Sequence, residues 1–329
     1  MNLLFSLLAA VLALFAAGLL AAALFTFYVK RKVESLLPPK GRFVDVPGAR
    51  LHLVDAGSGR PILMVHGLAG QLGHYTYGVA GRLQGEHRIV AVDRPGSGHS
   101  TRAPATCAGL SEQAGALAAL IDALGLERPL VVGHSLGGAV ALTLALEHPG
   151  SVGALALIAP LTRMPDAAPG VFKGLTIASP RLRGFVAWTL AIPSSIRHSR
   201  TALEQVFGPE AVPADFALRG GGLLGLRPQA FLSASLDLQA LPDCLPRLQE
   251  RWSELRLPVS VLYGKDDRIL DWASNGRALA ERIPGARLEL VEGGHMLPVT
   301  NPDACAAFIR AAAASLDAAP AARAGSSRV

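Results

Sequence analysis

The strongest constraint on this chain is a series of short, unbroken apolar runs. They are PILMVHG from Pro61, RIVAVD from Arg88, PLVVGH from Pro129, ALALIAP from Ala154, PVSVLYG from Pro258 and RLELVEG from Arg287. Most do not alternate polar with apolar residues, so each reads as a strand buried on both faces, the pattern of a parallel sheet covered by helices on both sides. Helical stretches such as Ser111 to Leu124 and Leu136 to Glu147 fall between them. Strand–helix alternation of this kind defines an α/β domain. Two earlier runs, RFVDV and ARLHLVDAG, are split by Pro47-Gly48 and read as a hairpin. The expectation is a mostly parallel eight-stranded sheet flanked by helices. From 162 to 255 the rhythm fails: the stretch is helical, apolar and broken by prolines. That is too long for a loop in a compact domain. It predicts an inserted helical lid dividing the core into 42–161 and 256–315.

The ends read differently. Residues 3–29 carry no charged side chain, enough for a helix to cross a bilayer. A signal peptide calls for a positive start and a shorter apolar run. Lys30, Arg31 and Lys32 follow the run, with Lys40 and Arg42 nearby. Positive flanks stay in the cytoplasm, so the expectation is a single-pass membrane protein with its main domain cytoplasmic. Residues 30–41, with Leu36-Leu37-Pro38-Pro39, read as a stiff linker. Residues 316–329 read as a disordered tail.

The net charge is +6, but the basic residues are dispersed and no zinc-finger, homeodomain or RNA-binding motif accompanies them. This excludes nucleic acid as the expected partner and suits an anionic membrane lipid surface. Cys107, Cys244 and Cys305 are far apart, without CxxC spacing, and read as free thiols. His52, His74, His87, His99, His148 and His198 show no metal-ligand spacing. GGGLLG at 220–225 satisfies a dinucleotide-binding pattern in letters only; no strand precedes it, and it reads as a flexible bend. Neither a metal nor a cofactor is expected.

Chemistry concentrates in GHSLG, Gly133 to Gly137. It follows an apolar strand and opens a helix, the context in which G-x-S-x-G forces a sharp turn and lifts the serine hydroxyl above the sheet. Gly133 and Gly137 permit the turn and Ser135 is the candidate nucleophile. A serine needs a base, and the base an orienting acid. LYGKDDRIL delivers Asp266 and Asp267 after one strand, and VEGGHMLP delivers His295 after the last. His134, beside the candidate nucleophile, reads as a residue that packs or hydrogen-bonds locally.

Together the Ser135, Asp266-Asp267 and His295 stretches resemble the α/β-hydrolase superfamily. That resemblance implies an α/β-hydrolase fold and, through Gly264-Lys265-Asp266-Asp267, makes Asp267 the acid. MVHGLAG from Met64 is similar to the family's oxyanion loop, which implies the backbone amides of Leu68 and Leu136 as donors and His66 as a structural residue. DRPGSGHS, from Asp93, resembles a turn of the same family, with Asp93 tying loops and Gly96 and Gly98 allowing the turn. Haloalkane dehalogenases and epoxide hydrolases of this fold use aspartate at the elbow, so serine implies acyl transfer. Anchor plus domain is similar to monoacylglycerol-lipase-like membrane hydrolases. The expected activity is hydrolysis of a small-molecule carboxylic ester, apolar or lipid-like. Acyltransferase, thioesterase, lactonase and C–C bond hydrolase remain open on the same residues, as does a non-catalytic binding protein. The stretch 170–193 mixes Phe172, Leu175, Phe185, Trp188 and Leu190 with Lys173, Arg181 and Arg183, a pattern suited to a membrane interface.

Overall fold

A computed structural model describes residues 2–165 and 170–324. All eight expected strands form: β1 (Arg42–Val46), β2 (Ala49–Ala56), β3 (Pro61–Val65), β4 (Arg88–Val92), then, beyond a short β5 (Thr101–Arg102), β6 (Leu130–His134), β7 (Ala154–Ile158), β8 (Val259–Gly264) and β9 (Arg287–Val291). Their order is β1-β2-β4-β3-β6-β7-β8-β9, with β5 paired to β2 outside this path. The two residues of β5 are too few for any apolar pattern to announce them. β1 and β2 form the antiparallel hairpin, β2 joins β4 antiparallel, and every pairing from β4 to β9 is parallel.

Side chains alternate across the sheet, and both faces are apolar. Leu63, Val65, Val90, Val131, Leu155 and Val261 meet the helices Leu110–Ala123 and Leu136–Glu147. Ile62, Met64, Ile89, Val132, Ala156 and Leu262 meet Val79–Leu83 and the C-terminal helix. Burial on both faces is why these runs read as unbroken.

Between β7 and β8 no strand occurs among the described residues. The insertion holds a short turn (Gly170–Leu175), three helices (Pro180–Thr189, Ala191–Phe207, Pro228–Glu250) and a turn at Gly222–Leu226. The interface pattern expected in 170–193 is redistributed. Phe172 and Leu175 turn inward to line a cavity, and Arg183 is buried, donating to the carbonyls of Ile177 and Ala178. Leu182, Phe185, Trp188 and Leu190 stay exposed, with Lys173 and Arg181.

Two expected boundaries move. The N-terminal helix runs Asn2–Leu36, through the stretch expected to be linker, leaving only 37–41 for that role. Lys30 and Glu34 pair across one turn at 3.8 Å, Thr26 and Val33 are buried, and Lys30 Nζ lies 5.9 Å from the Trp188 ring centre. The helix persists because one face packs on the insertion; Pro38-Pro39 then ends it. The C-terminal helix runs Pro302–Ala324, into the expected tail, carried by alanines of high helix propensity; 325–329 lie outside the described residues. The segment Leu3–Leu36 is long and apolar enough to cross a membrane, by length and composition.

Candidate active site

β6 ends at a backbone conformation that L residues rarely adopt: Ser135 has φ 54° and ψ −122°. Such a residue costs on the order of 1–3 kcal/mol and persists only where its surroundings over-determine it. Here the Ser135 amide donates to Ile158 O (3.1 Å), and its carbonyl accepts from Gly138 (2.8 Å) and Leu161 (2.9 Å). The flanking glycines are spatial necessities. A Cβ on Gly133 would lie 2.5 Å from Gly137 O, and one on Gly137 would lie 2.2 Å from Val65 O. The helix Leu136–Glu147 starts at once, bringing its free N–H groups and positive end to the serine.

His295, four residues after β9, directs Nδ1 to Asp267 Oδ2 at 2.7 Å. A carboxylate can only accept, so Nδ1 carries the proton and Nε2 is left for another partner. The Asp267 carboxylate is fully enclosed; its Oδ1 accepts from the amides of Ile269 (2.8 Å) and Leu270 (2.9 Å). The Asp266 side chain is exposed, and only its amide is used, donating to Gly293 O. Ser135 and His295 line one cavity of about 290 Å3. Ser135 and Leu68 line this cavity and also a second, of about 150 Å3, which Leu136 joins. Among the described residues no side-chain hydrogen bond ties the Ser135 hydroxyl elsewhere.

The loop carrying Leu68 is held from below. His66 Nδ1 donates to Gly67 O (2.8 Å) while Nε2 accepts from the Arg94 amide (2.9 Å). Asp93 accepts from the Leu72 amide, the His99 amide and His52 Nδ1, at 2.7, 2.8 and 2.8 Å. A Cβ on Gly98 would lie 2.1 Å from that carboxylate. His134 Nε2 donates to His295 O (2.9 Å), and the two rings stand 4.9 Å apart. GGGLLG is a bend, as expected, but a packed one: Gly221 has φ 70°, and a Cβ there would lie 2.1 Å from Gln71 Nε2.

Burial holds His66 and His134 well below the ordinary histidine range, and His74 at about 4. These folded-state values lie below the unfolded one of about 6.5. The unfolded chain therefore takes up protons first as pH falls. Stability is full above about 6.5 and is lost downward from there, for His74 until about 4. Each histidine adds up to about 1.4 kcal/mol per pH unit. The denaturation midpoint of the full chain in detergent is expected to fall steeply from pH 7 to 5; a flat profile would contradict neutral buried imidazoles.

One feature escaped the sequence. Arg94, wholly buried, donates from Nη1 to Gln113 Oε1 (2.6 Å) and Asp237 Oδ2 (2.8 Å), from Nε to His66 O (2.9 Å) and from Nη2 to Gly67 O (2.9 Å). Arg102 binds the other Asp237 oxygen at 2.6 Å. Asp237 lies on the third insertion helix, so this network ties the insertion to the loop before Leu68. From the insertion also, Glu210 accepts the Gly294 amide beside His295, at 3.0 and 3.1 Å. The one sequence signal was an acid at Asp237 in an otherwise apolar stretch.

With this geometry in view, the comparisons are consistent. Residues 62–308 match the alpha/beta hydrolase family, and the chain belongs to it. It is similar to 2-hydroxy-6-oxononadienedioate/2-hydroxy-6-oxononatrienedioate hydrolase of Comamonas testosteroni, 27% identical over 73% of this chain and 82% of that protein. In fold it is similar to a thermophilic esterase from Thermogutta terrifontis (TM-score 0.62, 25% identity, 84% of this chain and 99% of that one). It is also similar in fold to a membrane phospholipase A (TM-score 0.67, 24% identity, 96% of this chain and 99% of that one). Family membership makes the chain a hydrolase.

Proposed function

We propose that this protein is a membrane-held serine esterase for carboxylic esters with an apolar acyl group. One observation carries the reading: Ser135 is held at φ 54° beside a helix start and lines the same cavity as His295, whose ring Asp267 holds from behind. A protein that only binds has no use for a strained serine next to an oriented imidazole. Ser135 Oγ attacks the acyl carbon as His295 Nε2 takes its proton. Asp267 keeps the ring in that tautomer and stabilises its charged form. The amides of Leu68 and Leu136 hold the developing oxyanion. His295 then gives the proton to the leaving alcohol, and water, activated by the same ring, releases the acid. The aliphatic lining of the smaller cavity supports the apolar acyl group.

The N-terminal helix is the anchor in this reading, with the main domain cytoplasmic because Lys30, Arg31 and Lys32 follow the apolar run. The helix packs on the insertion from Thr26 onward, so the exposed Leu182, Phe185, Trp188 and Leu190 lie beside the membrane-facing end of the anchor. Apolar side chains with Arg181 beside them suit a lipid interface.

A panel of p-nitrophenyl esters of increasing chain length tests the activity. Turnover is expected, and none at any length contradicts the ester reading. In the same assay Asp267→Asn should lower kcat on the order of 10³- to 10⁴-fold. Asp266→Asn, at an exposed side chain, should stay within about twofold. Equal losses would show that Asp267 does not orient His295.

A further inference from the structure

The base sits on a loop with little stiffness of its own. Gly293 and Gly294 precede His295 directly, and glycine gives a backbone its widest freedom. Asp267 fixes the rotation of the imidazole through Nδ1. A ring on two side-chain torsions is still only as well placed as the main chain beneath it. That chain is held at three consecutive residues. At the middle one, the His295 carbonyl accepts from His134 Nε2, beside the nucleophile. The other two holds come from the insertion.

Both arise at the end of the helix Ala191–Phe207. Phe207 and Phe216 pack with Met296 in one buried cluster, their rings 4.8 Å apart and edge to face. Three residues after Phe207, Glu210 turns both carboxylate oxygens to the Gly294 amide, at 3.0 and 3.1 Å. A hydrogen bond to an ionised acceptor is roughly twice as strong as a neutral one. The fit around it is close. Gly293 has φ 123°, and a Cβ there would lie 2.5 Å from Glu210 Oε1. A Cβ on Gly294 would lie 2.2 Å from Gly208 O, and one on Gly208 would lie 2.7 Å from Arg268 Nη1. Arg268 follows Asp267 in the chain, so the segment 208–210 is wedged between the loop of the acid and the loop of the base. Glu210 itself stands outside the cavity that Ser135 and His295 line. It borders an outer crevice with Pro209 and Arg268.

We propose that Glu210 is a positioning residue: through the Gly294 amide its carboxylate fixes the main chain of His295, so that the ring stays where it can take the Ser135 proton. The insertion then helps to place the base as well as covering the cavity. This rests on the ester reading above. A small displacement of a catalytic group, caused by a change away from the reacting atoms, is enough to cost a large factor in rate.

The test is a double-mutant cycle with His295, read as the rate at which an alkyl fluorophosphonate labels Ser135 in the full chain in detergent. Glu210→Ala should slow labelling about tenfold. In a His295→Ala background the same substitution should change the rate by less than about twofold, because a residue that acts through the base has nothing left to act on. Glu210→Gln, which keeps an acceptor for the Gly294 amide, should stay within about threefold of wild type. With p-nitrophenyl butyrate the loss in Glu210→Ala should fall on kcat and leave KM nearly unchanged, since Glu210 does not line the cavity. Glu210→Leu carries the same cycle where the alanine variant loses its fold. Labelling at the wild-type rate without the carboxylate overturns the assignment. An equal loss with and without His295 also overturns it, because that is the behaviour of a general support of the fold. A wild type whose Ser135 takes no label overturns the ester reading itself, and this assignment with it.

Discussion

Ser135→Ala is expected to lower ester turnover on the order of 10³-fold or more, with substrate binding nearly intact. The residual rate comes from the oxyanion amides and from positioning, which the substitution leaves in place. Stability should hardly change, since alanine at φ 54° carries the same backbone strain as serine. Ser135→Gly separates the two effects. It removes the same hydroxyl and the same activity, but glycine accepts φ 54° without penalty. It should therefore stabilise the chain by roughly 1 kcal/mol. Equal stability of the alanine and glycine variants would mean that no strain is stored at the elbow. Near-normal turnover in either would remove Ser135 from the mechanism.

Asp237→Ala is the second large effect, and it falls on stability. The carboxylate is fully enclosed and bridges Arg94 and Arg102, themselves almost wholly buried. Removing one partner from a buried ion pair leaves an uncompensated charge and costs about 3–5 kcal/mol. Against a total of about 5–15 kcal/mol for a native protein, that is a large share. Arg94 also holds the carbonyls of His66 and Gly67 at 2.9 Å. The variant should therefore lose kcat as well, through a loosened Leu68 loop. Denaturant unfolding of the full chain in detergent measures the first effect. A loss under about 1 kcal/mol would show that the network does not hold the insertion to the core.

The sheet was legible because its strands are buried on both faces, which leaves unbroken apolar runs such as PILMVHG and PLVVGH. The elbow was legible because the close approach of Gly133 and Gly137 to backbone carbonyls admits no other residue. What stayed hidden depends on partners distant in sequence. Arg94 and Asp237 lie 143 positions apart, so neither marks the other. The helix continues beyond Val29 because Thr26 and Val33 find a surface on the insertion, which no local pattern encodes. Arg183 read as a surface cation. The carbonyls of Ile177 and Ala178, only a few residues upstream, draw it inward instead. Asp266 and Asp267 are chemically identical, and only the fold decides that one is enclosed with its Oδ1 held by two amides while the other meets solvent.

The most direct measurement is covalent labelling of the full chain in detergent with a fluorophosphonate, read by mass spectrometry of the peptide containing Ser135. Close to one adduct per chain is expected, on Ser135, with labelling slowed on the order of 10³-fold or more in His295→Ala, since the serine is a poor nucleophile without its base. An unmodified Ser135 in a folded chain, or labelling equally fast without His295, would contradict it.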